Sequence, residues 1–258
     1  MNIIFDENRN LLIQDNGYTS KIENFIMEKW GSFLEQDFRG QWEGVQNAEL
    51  MLEENHARHN SDPEYQEFII EPIKSKKDFW NGKKALDIGC GAGRNIYNLL
   101  SSANFSSVDG CDISESNAKI AEEYVTKTFD KTRVKTWRNN GLNLRPAKDS
   151  TYDFVMSHIV FQHIPNYLIR LSLLNDVFRV LKHGGMTVIH YMDLDESEPY
   201  NSIYPGNNQS LVSKNCRVEN ANLLINDFYA LGFKDVNCFV GVDPFANKPS
   251  YYVRAFKR

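Results

Sequence analysis

The sequence has no long apolar run, no excess of positive charge and no cysteine pair at metal-binding spacing. No stretch approaches the roughly 18 apolar residues that a bilayer-spanning helix needs, so we expect no membrane insertion. The chain carries 29 Lys and Arg against 34 Asp and Glu, a formal net charge of -5. Proteins that bind the phosphate backbone usually have a basic excess, so nucleic acid is not expected as the main partner.

The cysteines are few and scattered. The chain has 4 of them, none forms a Cys-x-x-Cys pair, and no Cys/His cluster has zinc spacing. We therefore expect reduced, structural thiols and no metal. Charged residues stand within the first ten positions, where a secretory signal would place its apolar core. Both observations predict a cytoplasmic protein, and the Asn- and Lys-rich text is typical of an AT-rich bacterial genome.

The sequence changes character near Asn81-Gly82. Before this point, apolar residues at helical spacing predict helices over residues 23–36 and 45–56 and a third that begins at Pro63. After it, short apolar strands alternate with amphipathic helices. We therefore divide the chain into a helical N-terminal cap, residues 1–82, and a ligand-binding domain, residues 83–258.

The second part predicts a layered α/β fold. Alternating strands and helices require a parallel sheet with right-handed crossovers, and a final pair without an intervening helix indicates an antiparallel edge. The fold class is thus α/β, with a doubly wound, mostly parallel sheet of seven strands. The predicted strands are 84–88, 107–112, 133–137, 153–157, 186–192, 234–240 and 251–257, and the main helices are 114–129, 164–181 and 219–231.

A glycine-rich turn follows the first of these strands. Residues 87–93 read DIGCGAG and open a helix, and glycines there allow a tight turn and the close approach of a ligand. The dinucleotide pattern GxGxxG is not met, because Arg94 stands where its third glycine belongs. The Asp87 carboxylate would repel a pyrophosphate and suits a cation. A ligand with an ammonium and a sulfonium therefore fits better than a dinucleotide.

With this turn the sequence resembles the class I S-adenosylmethionine-dependent methyltransferases, in particular the small-molecule subgroup known as methyltransferase type 11. The resemblance extends well over residues 82–192 and loosely beyond them. It implies a Rossmann-like sheet of order 3-2-1-4-5-7-6, S-adenosylmethionine as cofactor and methyl transfer to a small acceptor. It also implies that the glycine turn packs on the amino-acid part and the sugar, while Asp87 orders the loop or the amino group.

Two further motifs complete the implied cofactor site. Asp112 ends the second strand, where a carboxylate can accept hydrogen bonds from both ribose hydroxyls, with Ile113 against the adenine. The alternative is that Asp112 only caps the next helix. Where the family has an acidic residue for the adenine amine, Asn140 fills the position best, since an amide oxygen can also accept. The implied cofactor residues are Asp87, Gly89, Cys90, Gly91, Gly93, Arg94, Asp112, Ile113, Asn140, Gly141, Leu142, Ser157 and His158.

A fourth motif carries the catalytic candidates. Ser157-His158 ends the fourth strand, and the segment through His163 matches the family's acceptor-lining stretch. A neutral imidazole at working pH can remove a proton from a hydroxyl, so His163 is the first candidate for a general base and His158 the second. The alternative for His163 is a helix-entry histidine bonded to the backbone.

The acceptor class is narrowed by a missing motif. The sequence lacks the Asn/Asp-Pro-Pro-Tyr of enzymes that methylate amino groups of DNA bases or glutamine. This leaves the oxygen of a small molecule, as in a sugar, a nucleotide-linked glycan precursor or another small metabolite, with nitrogen or carbon as the alternative. A non-catalytic cofactor-binding module and a nicotinamide-dependent dehydrogenase are the alternatives. The protein is expected to be a monomer or homodimer. His190 and Tyr191 are open candidates that face the crevice. Four aromatic residues either roof the pocket or only pack against the sheet: Trp30, Phe33, Phe38 and Trp42. Four acidic residues are expected to form a solvated loop rather than a metal site: Asp193, Asp195, Glu196 and Glu198.

Overall fold

The structure is a computed structural model. It describes residues 1–40, 42–43, 60–194, 197–203, 215–244 and 247–258, apart from the side chains of Phe33, Asp37 and Phe38. The helix predicted over residues 45–56, together with His56 and His59, lies outside the described residues.

The chain begins with a three-stranded antiparallel sheet that the sequence pattern did not lead us to expect. Its strands are β1 (Asn2–Phe5), β2 (Leu11–Asp15) and β3 (Tyr18–Lys21). Asn16 and Gly17 make the tight turn between β2 and β3, with φ angles of 48° and 83°. An Asn-Gly pair favours this two-residue hairpin because both positions need positive φ. The N-terminal region is therefore not helical throughout.

Helical segments follow in the two places where the periodicity indicates them. Helix α1 (Ile22–Ser32) continues as a π-helix over Phe33–Phe38. The second segment, which we call the 63–75 helix, is α-helical over Pro63–Tyr65, π-helical over Gln66–Ile70 and α-helical over Glu71–Ser75. Asp62 caps it, since its Oδ1 accepts a hydrogen bond from the Glu64 amide at 2.9 Å.

The central sheet has the predicted seven strands. They are β4 (Lys84–Ile88), β5 (Ser107–Asp112), β6 (Thr136–Arg138), β7 (Tyr152–Ser157), β8 (Leu181–Met192), β11 (Lys234–Asp243) and β12 (Lys248–Phe256). A small parallel pair, β9 (Ser197–Pro199) and β10 (Asn215–Arg217), lies between β8 and β11 in the chain. The strand order across the sheet is β11-β12-β8-β7-β4-β5-β6. Taken from the β6 edge, with the seven strands counted in chain order, this is the predicted 3-2-1-4-5-7-6. Strands β4 to β8 run parallel, and β12 is antiparallel to β8 and β11.

Helices cover both faces of this sheet. They are α2 (Arg94–Ser102), α3 (Glu115–Val125), α4 (Tyr167–Val180) and α5 (Ala221–Ala230). One apolar core joins α2, α3 and the 63–75 helix, through Ile69, Leu99 and Val125 among others. A second core joins α1, α4 and α5, through Ile26 and Phe228 among others. Two cores on opposite faces make the fold doubly wound, as predicted.

Two element boundaries differ from those predicted around α4. The helix starts only after Pro165, because the Asn166 side chain is its N-cap and accepts from the Leu168 amide at 2.9 Å. Strand β8 begins at Leu181, although Gly184-Gly185 was expected to separate a helix from a later strand. Gly184 donates its amide to the Lys257 carbonyl at 2.7 Å, so the glycine pair is held beside the end of β12.

The N-terminal sheet is attached to the second core. Leu11 and Ile13 of β2 are buried in it. Arg9 donates from Nη2 to the Leu231 carbonyl at 2.7 Å, and its guanidinium lies 4.8 Å from the centre of the Phe178 ring. The first strands therefore pack on α4 and on the end of α5.

Candidate active site

A cavity lies at the carboxyl ends of the central strands. In the sheet register Ile88 of β4 is opposite Cys111 of β5, and Asp87 is opposite Met156 of β7. The loops after these strands surround a cavity of about 310 Å³. This is the switch point at which open α/β sheets bind ligands. The polar lining residues are Cys90, Arg94, Asn95, Asp112, Asn117, Asn139, His158 and His163, and the other lining residues are Trp42, Ile88, Gly89, Gly91, Ala92, Ile113, Gly141, Ile159, Val160, Ile164 and Leu173.

The glycine turn forms the floor of the cavity. Gly89, Gly91 and Gly93 have φ angles of 70°, 49° and 93°, which only glycine adopts without strain. The amides of Gly89 and Cys90 both donate to the Cys111 carbonyl, at 2.7 and 3.0 Å. A Cβ atom on Gly89 would stand 2.3 Å from Val160 Cγ2. Glycine is therefore required here by the close approach of the loop after β7.

Asp112 ties this turn to the start of α3. Its Oδ2 accepts from the Gly91 amide and its Oδ1 from the Ser114 amide, both at 2.9 Å. The N-cap of α3 is Ser114, whose Oγ accepts from the Asn117 amide at 3.1 Å, so the interpretation of Asp112 as that cap is wrong. Burial raises the pKa of Asp112. Its carboxylate lines the cavity with further lone pairs available.

Arg94 is a buried cation on the cavity wall. Its Nη2 lies 2.8 Å from His158 Nδ1, and the guanidinium lies 4.9 Å from the centre of the Tyr65 ring. Within the described part of the chain it forms no ion pair, and Nη1 has no hydrogen-bond partner. Burial lowers the pKa of Arg94, yet a guanidinium stays charged in proteins. Asp87 and Asp62 act on this charge electrostatically without pairing with it, so Nη1 is available to an anion.

His158 lines the cavity beside Arg94 and is almost fully buried. Because arginine can only donate, His158 Nδ1 accepts, and Nε2 carries the proton of the neutral ring. Nε2 is 3.2 Å from the Tyr252 hydroxyl, and the ring lies 4.7 Å from that of Tyr65 and 4.6 Å from that of His190. Both nitrogens are thus engaged by the protein, an arrangement that disfavours His158 as a base.

His163 is bonded differently. Its Nδ1 lies 2.9 Å from Asn215 Oδ1, so the ring nitrogen donates and Nε2 keeps a lone pair. The partner of the ring is a side chain, whereas the alternative hypothesis for His163 was a hydrogen bond to the backbone. Burial lowers the pKa of His163, against the smaller raising effect of the Asn215 hydrogen bond. The imidazole is therefore neutral at pH 7 and able to accept a proton.

The loop after β6 places Asn139, not Asn140, in the cavity wall. Asn139 Oδ1 accepts from the Gly141 amide at 2.9 Å, and Nδ2 is 3.4 Å from Cys111 Sγ. Asn140 is exposed, and its Oδ1 accepts from the Leu142 amide at 2.9 Å and from the Asn143 amide at 3.0 Å. Asn139 is therefore better placed than Asn140 to meet a ligand in the cavity, because Asn140 is used to close the turn.

Three other sequence candidates lie behind the wall. Leu142 is buried in the core, and Ser157 donates from Oγ to the Ile88 carbonyl at 2.9 Å. Asp87 accepts at Oδ1 from Asn95 Nδ2 at 3.1 Å, while its buried Oδ2 has no partner among the described residues. Burial raises the pKa of Asp87 to about 7. Asp87 therefore acts on the cavity through Asn95 and the turn.

Glu43 and Trp42 also connect the N-terminal region to the site. Glu43 accepts from the amides of Glu115 and Ser116, at 3.1 and 3.0 Å, and from Ser116 Oγ at 2.7 Å. Burial tends to raise the pKa of Glu43, but these hydrogen bonds outweigh it and lower the pKa. The neighbouring Trp42 lines the cavity, with its ring centre 5.3 Å from that of His163. Glu43 thus fixes Trp42 beside the catalytic candidate.

The comparisons with known proteins agree with this geometry. Residues 85–185 match the family model described as a methyltransferase domain. These residues form a class I methyltransferase domain. Over 119 residues the chain is 34% identical to demethylmenaquinone methyltransferase of Staphylococcus aureus (strain MRSA252), a match covering 46% of this chain and 45% of that protein. The chain thus spans less than half the length of the curated relatives it matches.

Solved structures share the fold of this chain. An S-adenosylmethionine-dependent methyltransferase from Aquifex aeolicus aligns with a TM-score of 0.53 and 20% identity, over 79% of this chain and 98% of that one. Haemonchus contortus phosphoethanolamine N-methyltransferase 2, solved with phosphomonomethylethanolamine and S-adenosylhomocysteine, aligns with a TM-score of 0.53 and 18% identity, over 69% and 49%. At these identities the likeness concerns the fold.

The cavity fits S-adenosylmethionine by its own chemistry. Arg94 Nη1 and Asn117 Oδ1 are buried polar atoms of lining residues without partners in the described chain, and such atoms are rare unless a ligand or water completes them. A cation, a strand-end carboxylate and the apolar Ile113 share the cavity. This set suits a carboxylate, a ribose and a base in one molecule.

The remaining sequence candidates lie around this site. His190 accepts at Nδ1 from the Ile159 amide at 3.1 Å, and so supports the loop after β7. Tyr191 is buried in the second core, and Trp30 packs against it. Asp193 accepts from the Val218 amide at 2.8 Å, whereas Asp195 and Glu196 lie outside the described residues. In the part of the chain that is described, no cluster of His, Cys, Asp and Glu has the geometry of a metal site, and no helix is long and apolar enough to cross a bilayer.

Proposed function

We propose that this protein transfers a methyl group from S-adenosylmethionine to a hydroxyl of a small molecule. The observation that carries the proposal is one cavity that joins a glycine turn held by Asp112, the unpaired cation of Arg94 and the neutral imidazole of His163. The first two features suit the cofactor, and the third suits a protonated acceptor.

The cofactor would lie along the carboxyl ends of β4 and β5. Arg94 would pair with its carboxylate through Nη1, and Asp112 would accept from the ribose hydroxyls. Asn139 would accept from the adenine amine with Ile113 against the ring. Asp87 would set the charge behind the glycine turn, close to the ammonium. The bound cofactor supplies a methyl group that is activated by its sulfonium.

His163 would remove the acceptor proton. Its Nε2 lone pair takes the proton of the hydroxyl, and the oxygen becomes the nucleophile that displaces the neutral sulfide from the methyl carbon. Since the methyl group is already activated, most of the acceleration must come from holding acceptor and cofactor in line within a closed cavity. Trp42 and the loop after β7 would exclude water from it.

The surroundings of His163 favour an acceptor with an apolar, flat body. Trp42, Val160 and Ile164 line the cavity next to it, and a Trp ring binds flat apolar groups by stacking. A phenol or quinol therefore fits better than the sugars that the sequence left open. We propose that residues 1–82 contribute to the acceptor pocket through Trp42, which Glu43 fixes.

Labelled methyl transfer tests the proposal. The protein is incubated with methyl-tritiated S-adenosylmethionine and a panel of phenols, naphthohydroquinones and nucleotide-linked sugars. We expect label on a phenolic oxygen and a matching amount of S-adenosylhomocysteine. His163→Ala should lower turnover at least about a hundredfold, with the affinity for S-adenosylhomocysteine little changed.

The exposed His183 provides a matched control. His183→Ala should leave both turnover and binding unchanged. Binding of S-adenosylhomocysteine without label transfer to any panel acceptor would contradict the proposed activity. Label on the sugars only would contradict the apolar acceptor.

A further inference from the structure

Asn215 reaches His163 from a distant part of the chain. It starts β10, where it pairs with Ser197 of β9 in the segment between β8 and α5. Its Oδ1 lies 2.9 Å from His163 Nδ1. The short parallel pair thus brings an amide oxygen to the side of the imidazole that is not needed for proton removal.

The surroundings of His163 carry little charge. Burial and the hydrogen bond that His163 donates to Asn215 are the two influences on its pKa among the described residues, and no charged group contributes. Of the neighbours on β10, Arg217 pairs with Glu219 at 3.5 Å, and Cys216 is buried in the core. Trp42 on the other side is uncharged. Burial and an uncharged partner together therefore set the pKa of the ring.

An amide and a carboxylate in this position would have different effects. Either oxygen accepts the Nδ1 proton and so leaves the lone pair on Nε2. A carboxylate would in addition favour the charged imidazolium and raise its pKa, by about one to three units for a close opposite charge. The neutral amide orients the ring and raises the pKa by less than burial lowers it, so the base stays unprotonated at neutral pH.

We propose that Asn215 is a positioning residue for the methyl transfer, which it serves by holding His163 in the Nδ1–H form with the Nε2 lone pair available to the acceptor. This inference rests on the proposed function, in which His163 is the base. It assigns a role in the reaction to β9 and β10. That pair otherwise lies outside the central sheet.

Nuclear magnetic resonance of histidine labelled with nitrogen-15 tests the inference without an acceptor. The chain has 6 histidines, and the signals of His163 are those lost in His163→Gln. In the wild type with S-adenosylhomocysteine we expect the Nδ1–H tautomer and a pKa below the ordinary value of about 6.5. Asn215→Asp should keep the tautomer and raise that pKa by at least one unit. Asn215→Leu should give a mixture of tautomers.

The second measurement is the pH–rate profile with the panel acceptor that the wild type methylates. The acidic limb should move upward in Asn215→Asp by the same amount as the pKa, so the rate at pH 7 falls and recovers at higher pH. Asn215→Leu should stay slow at every pH. Asn104→Asp, which adds the same charge at an exposed loop position, should move neither quantity.

Three results would overturn the inference. They are an Nε2–H tautomer in the wild type, a pKa unmoved in Asn215→Asp, and an acidic limb that does not follow the pKa. A wild type that binds S-adenosylhomocysteine but methylates no acceptor would instead show that the proposed function fails. That outcome is visible before any Asn215 variant is made.

Discussion

Arg94 and His158 meet at the wall of the cavity, with Arg94 Nη2 2.8 Å from His158 Nδ1. The imidazole accepts there and is held from its other nitrogen by the Tyr252 hydroxyl at 3.2 Å. The guanidinium is thus held by a neutral partner and forms no ion pair among the described residues, although Asp87 and Asp62 act on it electrostatically, and Nη1 remains available. This arrangement leaves Arg94 Nη1 available to an anion and leaves His158 without a free nitrogen to accept a proton.

A first prediction concerns this anion site. Arg94→Gln should weaken the binding of S-adenosylhomocysteine about tenfold to hundredfold, since a charge-assisted hydrogen bond contributes about 1.5–3 kcal/mol and 1.4 kcal/mol is a factor of ten. Binding of 5′-methylthioadenosine, which lacks the carboxylate, should change little. Calorimetric titration measures both. An equal loss for the two ligands would show that Arg94 does not bind the carboxylate.

A second prediction concerns Asp112. Asp112→Ala should cost about 1.5–3 kcal/mol of affinity for S-adenosylhomocysteine. It should also lower the free energy of unfolding, because the amides of Gly91 and Ser114 lose their acceptor. Asp109→Asn is the control, since Asp109 lies on the same strand and bonds to the Tyr152 hydroxyl, away from the cavity. Unchanged binding in Asp112→Ala would remove Asp112 from the cofactor site.

A third prediction concerns the pH dependence of stability. Burial raises the pKa of Asp87 to about 7 in the folded protein, while the unfolded chain titrates near the ordinary value of about 3.9. Between these values the folded state binds more protons, so stability falls as pH rises, by at most about 1.4 kcal/mol per pH unit. Asp87→Asn should remove this slope. Urea unfolding at pH 5, 6 and 7 measures it, and parallel curves for the two proteins would contradict the raised pKa.

A fourth prediction concerns the contact between Glu43 and α3. Glu43→Ala removes the hydrogen bonds that hold the segment of Trp42 against the first turn of α3. We expect the docked position of this segment to lose about 0.5–2 kcal/mol, by analogy with the loss of a helix cap. We expect KM for the acceptor to rise severalfold while kcat changes less. Glu123→Gln, at an exposed position of the same helix, serves as the control. An unchanged KM would mean that Trp42 is held by other contacts.

The fold was predictable where sequence and structure are locally linked. The strands β4 to β8 and the helices between them follow from apolar runs, because each run is buried by its own element. The hairpin of β2 and β3 was missed although Asn16-Gly17 is a strong turn signal between two alternating segments. Its flanks are short, and the helical periodicity that follows dominated the interpretation of the whole region.

The site was predictable only in part, for a similar reason. Gly89, Arg94 and Asp112 follow strand ends, where the topology itself creates a binding crevice. Asn215 comes from a segment whose path depends on tertiary packing, so no local pattern could place it, and Trp42 was one of four aromatic candidates that the sequence alone could not tell apart. Asn139 and Asn140 differ by a single step, and the pattern could not tell which of the two closes the turn.

The first turn of α3 connects the cofactor side of the cavity, at Asp112, with the acceptor side, at Glu43 and Trp42. Its leading amides are divided between Asp112, which takes that of Ser114, and Glu43, which takes those of Glu115 and Ser116. A ligand that binds Asp112 and a ligand that contacts Trp42 therefore both act on the first three amides of this turn. Coupling of this kind is reciprocal: whatever factor the cofactor adds to acceptor affinity, the acceptor returns to the cofactor.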